Sequence, residues 1–176
     1  MVTVPLKKTL CVLGLGSNRP FKTLSCGEIL SSAAAELQKS FGEFRLSPLY
    51  KTAPLHVTEQ PYFYNAAGAG YFIAETADIA GARKLLHLIH MIEKQYGRDR
   101  SQEKRWGERS LDIDILLFGD VVTAENDLII PHPRLKERAF ALRPLLDLLP
   151  DAVDPATGER YSEILAALPW QEIDRI

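Results

Sequence analysis

Asp112 and Asp114 stand two apart in the stretch LDIDILLFG, residues 111–119. On an extended strand that spacing sends both carboxylates to one face, roughly 6.6 Å apart along the backbone. Leu111, Ile113 and Ile115 then point the other way. Beyond Asp114 the carboxylate face continues as Leu116 and Phe118, so both faces turn apolar and the strand reads as interior. Two like charges there are costly unless something neutralises them. A divalent cation would do so. Hard carboxylate oxygens with no nearby Cys favour magnesium over zinc. The plainer alternative is a solvated strand face.

The segment just before this pair, residues 98–109, carries five basic and three acidic residues. Arg98, Arg100, Lys104, Arg105 and Arg109 surround a lone Trp106. Guanidinium groups match phosphate oxygens bidentately, so arginines beside a carboxylate pair suit an anionic substrate. A solvated loop of mixed charge is the alternative. With almost no aliphatic anchor, the loop is expected to close only over bound ligand, Trp106 covering it. A third candidate is GLGSN, residues 14–18. Its third fingerprint glycine should fall at position 19, which is Arg19, so the dinucleotide motif fails. A P-loop GxxxxGK[ST] is missing from the chain as well. A simple strand-to-helix turn, or a turn that aims Asn18 at a ligand, remains. His87 and His90 are one helical turn apart and read as packed or solvated. His56 has no assigned role. His132 lies close to Arg134 and Arg138, where it could meet a phosphate.

Hydrophobic periodicity supplies the elements that must hold these groups. Residues 9–16 read as a buried strand and residues 23–41 as a helix, with Cys26, Ile29, Leu30, Ala33, Leu37 and Phe41 on one face and Gly42 as its stop. Residues 44–51 read as a strand, 52–61 as a Pro-broken loop, and 63–74 as a strand. The clearest helix is 78–96, stopped by Gly97. After the 111–119 strand come a hairpin leading into Pro131 and helices near 140–149 and 162–168. The order β-α-β-β-α-β predicts an α+β fold: a ferredoxin-like antiparallel sheet with helices packed on it, plus a C-terminal hairpin and helices.

The chain has 176 residues, which suits one domain, 1–176. Lys plus Arg is 21 and Asp plus Glu is 23, for a net charge of −2, which argues against coating nucleic acid. No apolar run reaches the roughly 18 residues of a membrane span. The N-terminus lacks a signal peptide's apolar core, and the two cysteines, Cys11 and Cys26, read as buried thiols. A cytoplasmic protein with no nucleic-acid or membrane partner is expected.

Five motifs occur in order: GLGSN, YKTAPL, QPYFYNAA, YGRDRSQEKRWGERSLDIDILLFG and IPHPRLKERAFALRPL. Together they resemble the 6-hydroxymethyl-7,8-dihydropterin pyrophosphokinase family of folate biosynthesis, over residues 11 to 150. The resemblance implies transfer of an intact pyrophosphoryl group from ATP, the co-substrate, to the dihydropterin's hydroxymethyl group, with two magnesium ions. It implies that Asp112 and Asp114 hold the metals and that Arg98 and Arg109 act catalytically on the triphosphate. His132 and Arg138 would join them there, with Trp106 over the nucleotide and Glu93 and His90 beside it. Ile115, Leu128 and Ile129 would border adenine. Phe63 and Phe140 would sandwich the pterin ring. Asn65 and the backbone around Thr52, Ala53 and Leu55 would read its polar edge, near Asn18. Two other readings stay open: a palm-like nucleotidyl transferase, which would release pyrophosphate, and an RNA-binding ferredoxin-like module, which the acidic, aliphatic 111–119 strand suits poorly.

Overall fold

The structure, a computed structural model, describes residues 5–54, 59–99, 107–125 and 127–176. Strand β1 (Lys7–Ser17) leads to helix α1 (Cys26–Gln38), then strands β2 (Phe41–Leu46), β3 (Tyr50–Thr52) and β4 (Phe63–Ala74). Helix α2 (Ile79–Gln95) and strand β5 (Asp112–Phe118) follow. A hairpin of β6 (Thr123–Glu125) and β7 (Leu128–Ile130) precedes a 3-10 turn (Leu135–Glu137). Helices α3 (Ala139–Leu148) and α4 (Tyr161–Ala167) and strand β8 (Ile173–Arg175) complete the order. The main sheet runs β5-β1-β4-β3-β8, with β2 also paired to β4, and every pairing is antiparallel. This is the expected ferredoxin-like α+β sheet.

Local chemistry sets the helix starts. Ser25 and Glu28 form a reciprocal capping box at α1, and Asp78 accepts from the amides of Ala80 and Gly81 at α2. Gly97, at φ +79°, ends α2 in a left-handed conformation that glycine adopts without strain. Helices α1 and α2 cover one sheet face, where Ile29, Leu37, Leu85 and Ile89 meet Leu13, Ile113 and Phe118, all fully or nearly fully buried. Helix α3 and Tyr161 cover the other face through Leu142 and Leu145, against Val12, Ala67 and Leu117. Each such aliphatic side chain contributes roughly 1.5–3 kcal/mol by leaving water.

The structure corrects the expected elements in four places. Helix α1 ends at Gln38, and Phe41 belongs to β2, opposite Phe72 with ring centroids 5.2 Å apart. Its helical spacing was fortuitous, because a phenylalanine cluster on the sheet buries it better. The expected 44–51 strand is two strands, broken at Ser47 and Pro48. There Pro48 has no N–H to continue the ladder, and Ser47 closes it instead, its N donating to Ala67 O at 2.8 Å and its hydroxyl accepting from Ala67 N at 2.9 Å. A β-bulge between β1 and β5 makes Val12 face Leu117 and Leu13 face Ile115. Phe118 therefore turns to the α1–α2 face, against Phe72, and Leu116 and Leu117 both occupy the carboxylate side. Finally, β8 was not expected at all. Among the described residues, no helix is long and apolar enough to cross a membrane.

Candidate active site

Strand β5, at one end of the main sheet, presents Asp112 and Asp114 beside β1, where Gly16 and Gly14 are their register partners. Across β1, Gly16 pairs with Asn65 of β4, which pairs with Tyr50 of β3. The glycines leave the floor of a cleft open; a Cβ on Gly16 would come within 3.3 Å of Asn65 Oδ1. The cleft encloses about 890 Å³, its open mouth included. Toward β5 its walls are Arg109, Asp112, Asp114, His132 and Arg138. Toward β3 and β4 they are Thr52, Ala53, Gln60, Phe63 and Asn65, with Phe140 from α3. One half is charged, and the other is aromatic and amide-lined.

The two aspartates differ sharply in surroundings. Asp112 Oδ1 accepts from Arg98 Nη1 at 2.5 Å and Asp112 Oδ2 from Arg109 Nη1 at 2.7 Å. Burial pushes the Asp112 carboxyl up, but the two guanidinium groups outweigh it and hold the pKa below the usual carboxylate range. Among the described residues, Asp114 has no such clamp. Burial, then the neighbouring Asp112 charge, push its pKa up to about 7, although Arg138 opposes them. Its side chain still keeps 42% of its surface open to the cleft.

Support for Arg98 comes from α2. Glu93, only 1% exposed, accepts from Arg98 Nη1 and, at 2.9 Å, from Ile113 N. A buried carboxylate thus holds a buried guanidinium against Asp112. His132 Nδ1 accepts from Arg134 N at 3.1 Å, which leaves Nε2 to carry the proton of the neutral ring, 3.8 Å from Asp114 Oδ2. Burial and the nearby Arg138 push the His132 pKa down to about 4, so the ring is neutral at pH 7. In the other half, Asn65 Nδ2 donates to Thr52 Oγ1 at 2.8 Å. The Arg138 guanidinium lies over the Phe140 ring, 5.5 Å from its centroid.

A paired-carboxylate site facing arginines, next to a flat apolar slot, suits a metal-bound polyphosphate beside a planar ring. Residues 12–150 match the family described as 7,8-dihydro-6-hydroxymethylpterin-pyrophosphokinase. The chain belongs to this family. Among relatives of this pyrophosphokinase family member is the 2-amino-4-hydroxy-6-hydroxymethyldihydropteridine pyrophosphokinase of Pseudomonas aeruginosa. It is 40% identical over 82% of this chain and 85% of its own length. The mitochondrial folate synthesis bifunctional protein of Arabidopsis thaliana is 47% identical over 68% of this chain. The chain spans only 20% of that protein's length. The Plasmodium falciparum HPPK-DHPS structure superposes with a TM-score of 0.70 over 93% of this chain and 45% of that one. At 16% identity it speaks for the fold alone.

Of the residues the pyrophosphokinase resemblance singles out, the cleft brings together Arg109, Asp112, Asp114, His132, Arg138, Thr52, Ala53, Phe63, Asn65 and Phe140. Arg98 and Glu93 stand behind Asp112, away from the open space. Asn18 is buried at the edge, bound to Arg109. Ile115 and Leu128 are buried in the α1–α2 core, and Ile129 is 44% exposed on the hairpin. His90 is exposed on α2. Leu55, His56, Arg100, Lys104, Arg105 and Trp106 lie outside the described residues, as does the middle of the expected closing loop. Gln60 lines the cleft and was missed, because nothing in a Pro-broken stretch marks one glutamine over its neighbours.

Proposed function

We propose that the chain transfers the terminal pyrophosphoryl group of ATP to the hydroxymethyl oxygen of 6-hydroxymethyl-7,8-dihydropterin, giving AMP and the pterin diphosphate for folate synthesis. The observation that carries the reading is the two-part cleft. Asp112 and Asp114 lie on one side, and Phe63, Phe140 and Asn65 on the other.

Two magnesium ions fit this donor set. Among the described residues, no third Asp, Glu, His or Cys joins the aspartates. Magnesium is commonly held by one or two carboxylates, with substrate phosphates and water completing its shell. The pKa of Asp114, raised first by burial and then by the Asp112 charge, marks a carboxylate suited to a cation, beside an Asp112 whose charge Arg98 and Arg109 already meet. When bound, the cations neutralise phosphate charge and polarise the oxygens at which bonds form and break.

The residues do the positioning. Arg109 and Arg138 face the triphosphate, and Arg98, braced by Glu93, keeps Asp112 ionised and oriented. Phe63 and Phe140 take the two faces of the ring, and Asn65, fixed by Thr52, offers its amide to the ring edge. This aligns the hydroxymethyl oxygen with the β-phosphorus. The new O–P bond forms there as the bond from the β-phosphorus to the bridging oxygen breaks; that oxygen departs with AMP, and the hydroxyl proton passes to water. Such transfer needs alignment and charge neutralisation more than a strong base.

The test mixes protein, ATP, magnesium and the hydroxymethyl dihydropterin. AMP formed in step with pterin diphosphate is the expected result. ADP would overturn the reading, and free pyrophosphate would favour the nucleotidyl-transferase alternative.

A further inference from the structure

Residues beyond 150 lie outside the family match, yet the last of them reach both α3 and the β3 edge beside the aromatic half of the cleft. Gln171 grips the start of α3 with both ends of its amide. Oε1 accepts from Ala139 N at 3.0 Å, and Nε2 donates to Glu137 O at 2.9 Å. These two backbone groups flank Arg138, whose own side chain does not cap the helix. The amide thus does what a neighbouring strand's peptide would do, fixing the backbone on either side of Arg138 and the root of Phe140 one residue on. Two residues after Gln171, Ile173 pairs with Thr52 in the β8–β3 ladder. Thr52 in turn holds Asn65, and Ile176 N donates to Leu49 O at 3.0 Å. Residues 171–173 can span no more than roughly 7 Å, so α3 and the β3 edge are tied by a short strap.

We infer that Gln171 is a positioning residue. With β8 it sets the spacing, within the aromatic half of the cleft, between Phe140 of α3 and Thr52 and Asn65 of the sheet, and so sets affinity for the flat substrate without touching it. The inference rests on the pterin reading above.

The test is steady-state kinetics of Gln171→Ala and Gln171→Glu beside the unaltered chain, well below each protein's melting temperature. Loss of both hydrogen bonds in Gln171→Ala should raise the pterin KM about tenfold. The ATP KM should rise too, through Arg138, but by less than the pterin KM, because the phosphates keep Arg109 while the ring loses a fixed face. Gln171→Glu keeps an acceptor for Ala139 N but no donor for Glu137 O, so its pterin KM should fall between the two. An unchanged pterin KM in Gln171→Ala overturns the inference. So does an equal rise in both KM values, which marks a merely structural role. Should Gln171→Ala not fold, the same split in Gln171→Glu decides. Failure of the pyrophosphokinase reading shows separately, as an unaltered chain that makes no AMP. Pterin titration into the unaltered and Gln171→Glu proteins then decides: weaker binding by the variant supports the inference, and equal binding or none by either overturns it.

Discussion

Asn18 and Arg109 hold each other at two points: Asn18 Oδ1 accepts from Arg109 N at 2.8 Å, and Asn18 N donates to Arg109 O at 3.1 Å. The side-chain amide of Asn18 also donates to Gln60 Oε1 at 3.2 Å. One residue, 1% exposed, therefore links the turn after β1 both to the arginine that clamps Asp112 and to the wall of the aromatic half. Asn18→Ala leaves a part-buried amide of Arg109 without its acceptor, at a cost of about 1 kcal/mol or more. We expect a melting temperature lower by several degrees and turnover reduced about tenfold or more as Arg109 loses its alignment. Asn18→Asp keeps the acceptor and should recover part of the stability. Turnover unchanged in Asn18→Ala would show that Arg109 needs no such anchor.

The aspartates should separate in stability while agreeing in activity. Asp112→Asn and Asp114→Asn should each lower turnover by about a hundredfold or more, the scale of losing one electrostatic contact to the reacting group. Without ligands at pH 8, Asp114→Asn should raise the melting temperature, since it removes a charge that burial and Asp112 both disfavour. Asp112→Asn should lower it, because Arg98 and Arg109 lose the carboxylate between them. Calorimetry of both variants checks this, and shifts of the same sign would contradict it.

The aromatic pair should act on one substrate only. Phe63→Ala or Phe140→Ala should weaken pterin binding by roughly 1–3 kcal/mol, the scale of losing one stacked ring. ATP binding should change little. Separate titrations of each ligand decide, and equal losses for both would mean that the fold had been damaged.

Acid should act on the ligand-free protein through two opposed groups. His132 titrates near 4 when folded and near 6.5 when unfolded. Between those values the unfolded chain binds the extra proton, so this group makes stability rise with pH. Asp114 titrates near 7 when folded and near 3.8 when unfolded, so the folded chain holds the extra proton and stability falls as pH rises through that window. The two slopes partly cancel between about pH 4 and 6.5. Asp114→Asn should therefore turn a nearly flat profile into a melting temperature that rises from pH 5 to 6.5, and His132→Asn should turn it into one that falls. Parallel curves for all three proteins would contradict the pairing.

Much of this was legible in the sequence because it depended on local pattern. The Asp112–Asp114 spacing, the glycines before them and the β-α-β-β-α-β order follow from strand and helix periods alone. What was hidden depended on contacts between distant segments. Phe41 has the spacing of a helix face, and only the Phe44 and Phe72 rings draw it into a strand. The bulge that turns Phe118 away is a mismatch between β1 and β5 that neither strand shows by itself. Glu93 carries a helical signal, but its role appears only when Arg98 folds back over it. Strand β8 is three residues long and exists because β3 offers an edge.

The central claim is that a pyrophosphoryl unit moves intact across this cleft. It is tested most directly by radiolabelling ATP with a different phosphorus isotope at the β and γ positions, followed by chromatographic separation and counting of the products. Both labelled atoms should appear together on the pterin, and AMP should carry neither. A label on AMP or in free pyrophosphate, or only one labelled atom on the pterin, would contradict it.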